Sequence, residues 1–84
     1  MPHWYGIIDT GSPPIIDGCN GDPRCVREKI MEHAPQGANV RSIVWFKGKN
    51  AAAVTVEGPA ARDYLNTLEA RDVEELEVSA PVDR

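Results

Sequence analysis

The chain has 84 residues, thirteen acidic against nine basic side chains, a net charge of −4, and 42% hydrophobic with 26% charged residues. That composition is globular: too apolar for a disordered chain, and without the long apolar run of a membrane span. The basic residues are scattered from Arg24 to Arg84 with no cluster longer than Lys47-Gly48-Lys49, which argues against nucleic-acid binding by counterion release.

In chain order, Trp4 to Asp9 (WYGIID) is a short aromatic and β-branched run and reads as a first strand. Thr10 to Asp22 is crowded with Gly, Pro, Asp and Ser and reads as a long loop. Asp22-Pro23 suits a helix start, because the Asp oxygen can accept from free amides while Pro at the first position gives up no needed donor. Val26, Ile30 and Ala34 then recur at helical spacing until Pro35-Gln36-Gly37, so helix one is expected over Pro23 to Ala34. Val40 to Lys47 is a second strand, Gly48-Lys49-Asn50 a turn, and Ala51 to Glu57 a third strand antiparallel to the second. Gly58-Pro59 opens a second helix with Ala61, Tyr64, Leu65 and Leu68 on one stripe, ending near Ala70 or Arg71. Asp72 to Ser79 (DVEELEVS) is a weakly alternating last strand, suited to an edge and ended by Pro81. The alternative is that this last segment extends helix two, since Glu74-Glu75 is poor strand material.

One domain over residues 1–84 is therefore expected, α+β, in β-α-β-β-α-β order, with a long loop at 10–22. This is the ferredoxin-like pattern, a four-stranded antiparallel sheet with two helices on one face. Ser42 to Phe46 (SIVWF) places four large apolar residues in a row, and a strand points successive side chains to opposite faces. Both faces therefore carry apolar groups. The helices cover one; the other receives either Val44 with Phe46 or Ile43 with Trp45, together with a set from the first strand and alternate residues of the third. An antiparallel sheet face that meets water is normally polar. A domain this short also buries only about 60 to 65% of its unfolded surface, so a cover for the second face would help it. Three covers are open: a second copy of the chain stacked sheet to sheet, a lid formed by Pro13, Pro14, Ile15 and Ile16, or a foreign partner. Trp4, Gly6, Ile8, Val44, Trp45, Phe46, Ala51 and Ala53 are the candidate ligand or interface residues, Gly6 and the alanines leaving a hollow for an apolar or aromatic small molecule.

The element order with its need for a stacked partner resembles the dimeric α/β-barrel superfamily. Within it, the stretch GKNAAAVTVEGPAARDYLNTLEARDVEELEVSA is similar to the second half of GYD-type domains, with Gly48-Lys49-Asn50 where that tripeptide would stand. The resemblance implies a dimer with a pocket. Its members include cofactor-independent monooxygenases, haem-degrading enzymes and ligand-binding modules, and the haem-degrading constellation of Asn, Trp and His has no match here. The expectation is a small ligand-binding or protein-interaction module, homodimeric through its open sheet face, with no cofactor. The alternative is a cofactor-independent monooxygenase or isomerase.

Chemistry-bearing residues are few. Cys19 and Cys25 read as two free thiols in a reducing cytosol, a small disulfide being the alternative if the loop folds back. His3, Asp9, Asp17, Cys19 and Cys25 match no zinc spacing, so no metal is expected. Pro2, freed of Met1, would be a secondary amine loosely similar to that of tautomerases, with Arg41 nearby; with Met1 retained it is blocked. His33 falls near the end of helix one, where a cation complements exposed carbonyls. MPHWYGIID lacks a basic region followed by an apolar core, so a cytoplasmic location is expected.

Overall fold

The computed structural model describes residues 3–11 and 13–76. Strand β1 (His3–Asp9) leads through a 3-10 turn (Pro14–Ile16) to helix α1 (Pro23–His33), followed by β2 (Asn39–Trp45), β3 (Ala51–Glu57), α2 (Ala61–Thr67) and β4 (Arg71–Leu76). The sheet order is β2-β3-β1-β4, all neighbours antiparallel. Each β-α-β unit thus straddles a strand of the other, which is the ferredoxin-like α+β fold.

Ile8, Val54 and Val56 of the sheet, Val26 and Ile30 of α1, and Ala61 and Leu65 of α2 with Leu68 at its C-cap form one fully buried cluster, so both helices lie on the same face. Burial of each larger aliphatic side chain in it contributes roughly 1.5–3 kcal/mol. Asp22 caps α1 by accepting from the Arg24 amide, with Pro23 at the first position. At the other end the His33 ring Nδ1 lies 3.0 Å from the Lys29 carbonyl oxygen, in the last turn where it was expected. The buried Tyr64 hydroxyl donates to the Ile30 carbonyl oxygen and ties α2 to α1. Burial pushes its phenol up to about 12, so the donor keeps its proton through the neutral range.

Helix α2 is shorter than its apolar stripe suggests. It begins after the Gly58-Pro59 turn and ends at Thr67, because Glu69 takes a left-handed conformation (φ 59°) and turns the chain into β4. Arg71–Leu76 pairs with β1 along the edge of the sheet, so helix two does not continue through this segment. The rest of DVEELEVS, Pro81, and the Met1-Pro2 amine lie outside the described residues.

The loop at 10–22 departs from two expectations. It is not a lid over the open face: Pro13 and Ile16 are buried, and Ile16 packs into the helix-side cluster with Val26 and Ile30. The physical reason is that backbone bonds from Ile16, Asp17 and Cys19 to Pro13, Pro14 and Ile16 wind it into a turn beside α1. Nor are Cys19 and Cys25 free thiols: they are joined in a disulfide, their Cα atoms 5.4 Å apart. The loop folds back so that Cys19 meets the first turn of α1, where Cys25 sits two residues after Pro23.

Candidate functional site: the open face of the sheet

Register decides which side chains meet the helices. Trp4, Gly6 and Ile8 pair with Val56, Val54 and Ala52, and these six form the helix side. In β2 the register against β3 slips between Val40 and Ser42. This bulge lets Val40, Ile43 and Trp45 all pack against the core, whereas an unbroken alternation from Val40 would have turned Ile43 and Trp45 outward. The opposite face therefore carries Val44 of β2 and Phe46 just past its end, and Ala51, Ala53, Thr55 and Glu57 from β3. From β1 it takes His3, Tyr5, Ile7 and Asp9, and from β4 Arg71, Glu74 and Leu76.

Four of the expected interface residues, Val44, Phe46, Ala51 and Ala53, come together on this face. Of the other four, Trp4, Gly6 and Ile8 do not. Trp4 lies on the helix side with the Arg62 guanidinium 5.5 Å from its ring centroid. Ile8 belongs to the helix-side core, while Trp45 packs against that core and also lines the depression of the open face. Gly6 leaves no hollow in the open face, because the space beside it is taken by Ala70 and Val73, and a Cβ there would come within 2.7 Å of the Ala70 Cβ. Of the loop candidates, Asp9 accepts from the Gly11 amide, Asp17 is exposed in the turn beside α1, and both cysteines are spent in the disulfide. Among the described residues no group of three or more His, Cys, Asp or Glu could hold a metal ion, and no helix is long and apolar enough to cross a membrane.

The open face is polarised along its strands. At one end His3 Nε2 lies 3.6 Å and Arg41 3.3 Å from the Glu57 carboxylate. One step inward the Tyr5 hydroxyl donates to Glu74 over 2.6 Å, a bond that, with the carboxylate's charge, raises the phenol's pKa. The other end is apolar. Val44 is 56% and Phe46 38% exposed, beside Ile7 and Ala53. A shallow depression of about 450 Å³ lies here, floored by Ile7, Phe46 and Ala51, flanked by Trp45, and rimmed by Lys47, Lys49 and Arg71. Among the described residues, neither ion pair involves any of these three cations. Ile7 was among the first-strand residues open to this face, whereas Glu57, Glu74 and Arg71 were passed over; their signal was phase, each sharing a face with Val44 through the strand register.

The arrangement can bind an apolar surface and orient it by charge. His3 and Tyr5, the side chains most suited to proton transfer, are tied to Glu57 and Glu74 at the end away from the depression. Comparison with protein-family models, with curated proteins and with solved structures finds no match to this chain.

Proposed function

We propose that this domain is a small protein-interaction or ligand-binding module that pairs with a second copy of itself through the open sheet face. The observation that carries the reading is the exposure of Val44 and Phe46 beside Ile7 and Ala53. Large apolar side chains left in water forgo roughly 1.5–3 kcal/mol each, a notable share of a small domain's stability. A contiguous apolar patch rimmed by charge is the usual mark of an association surface. The pairing agrees with the resemblance to dimeric α/β barrels, and the depression would then be roofed by the partner and could enclose an apolar or aromatic molecule. The oxygenase or isomerase alternative needs a titratable group aimed into such an enclosure; within one copy His3 and Tyr5 share the open face with the depression but stand at its opposite end, held by Glu57 and Glu74. Cytoplasmic residence remains part of the proposal, with the consequence that a reducing cytosol would open the Cys19–Cys25 bridge.

Val44→Glu and Phe46→Glu test this. Both side chains lie outside the helix-side core, so circular dichroism should be unchanged, while each variant weakens association at least about tenfold by burying a charge. Size-exclusion chromatography with light scattering over a dilution series up to about 100 µM should give a mass approaching twice the chain mass for the wild type, and for both variants a lower mass at each concentration, their association curves displaced to about tenfold higher protein or more. Equal masses for all three would overturn the proposal.

A further inference from the structure

The charges on the open face fall into rows that match when the face is turned end over end. Counting along the strands, the first row holds Glu57, His3 and Leu76, with Arg41 paired to Glu57, the second Tyr5 and Glu74, the third Val44, Ala53, Ile7 and Arg71, and the last Phe46, Ala51 and Asp9, with Lys47 and Lys49 beyond. Two in-plane two-fold axes can stack such a face on its copy. An axis running along the strands keeps each row over itself, setting Arg71 over Val44 and leaving Lys47 and Lys49 opposite no carboxylate. An axis running across the strands puts first row over last and second over third, with each strand over its own copy. Arg71 then meets Glu74 and Asp9 meets His3, while the lysines of the hairpin fall past Glu57 and its partner Arg41. A symmetric interface needs this self-complementarity, and like charges placed opposite each other would cost it.

Resting on the dimer reading above, we propose that two copies stack with their strands antiparallel about a two-fold axis crossing the strands, Arg71 of each pairing with Glu74 of the other. Four strands about 4.8 Å apart, seven residues long at about 3.4 Å each, offer on the order of 500 Å² per copy, so the contact is at the small end of specific interfaces. The matched charges set its orientation and make it sensitive to salt.

The test is charge reversal read by sedimentation equilibrium and native mass spectrometry. R71E and E74R alone each create two symmetric like-charge contacts and should weaken the dimer about tenfold or more. The double variant R71E/E74R should recover to within about threefold of the wild type. An equimolar mixture of the two single variants should form the mixed dimer in excess over either homodimer, a result no role within one chain can produce. Glu32→Arg, the same change of net charge as E74R but on exposed helix α1 away from this face, should leave the dimer unchanged. A dimeric wild type whose single variants associate as tightly as it does, or mix only statistically, overturns this stacking while the dimer stands. A monomeric wild type overturns both, and assigns the face to a partner of another kind.

Discussion

Gly58→Ala is expected to cost about 4 kcal/mol, a large part of the stability of a domain this size. Two independent effects add at this position. Its φ of 119° belongs to a region that side chains with a Cβ rarely enter, a strain worth on the order of 1–3 kcal/mol. In addition, an added Cβ would overlap the carbonyl oxygen of Gly37. That oxygen cannot simply move, because it accepts from the Ala60 amide at 2.9 Å. This clasp joins the turn before β2 to the turn before α2, so both helix connections would have to shift. Thermal unfolding followed by circular dichroism should show a drop of roughly 20–30 °C. Gly48→Ala is the control: its φ is 78°, but nothing lies within 4 Å of a Cβ there. The control should lose only about 1 kcal/mol. Equal losses would mean that close approach to Gly37 contributes nothing.

Reduction of the Cys19–Cys25 bridge should lower the unfolding midpoint by roughly 10 °C, from about 2 kcal/mol of chain entropy released to the unfolded state by a seven-residue loop. The bridge matters because it pins the end of the 10–22 loop to α1. Ile16 and Pro13 are buried only while that loop stays wound beside the helix. Unfolding with and without a phosphine reductant, with Cys19→Ser/Cys25→Ser as a non-reducible reference, measures the effect. Identical midpoints in all three would show that Ile16 alone holds the loop.

Much of the architecture was readable from residue pattern. Ala51 to Glu57 alternates small and β-branched residues after a Gly-Lys-Asn turn, and β3 has those bounds. Asp22-Pro23 and Val26, Ile30 marked α1 because cap chemistry and helical spacing agree. The loop was harder, since its Gly and Pro content signals turns but not whether Pro13 and Ile16 are buried; tertiary packing decided that. The site was half legible. Four consecutive apolar residues fit either face of a sheet, and only the slip between Val40 and Ser42 sends Trp45 inward and Val44 outward. No local residue pattern marks that slip. Gly6 was read as leaving a hollow, but a small residue in a strand equally serves a close approach, and the contact with Ala70 and Val73 is that.

The proposed cover for the exposed sheet face can be observed directly. Isotope-filtered nuclear Overhauser spectra on an equal mixture of labelled and unlabelled chain report contacts between copies alone. The account predicts cross-peaks between copies from the methyl groups of Val44 and Ile7 and the ring of Phe46, with none from Val26 or Ile30. Cross-peaks confined to the helices, or none at millimolar protein, would contradict it.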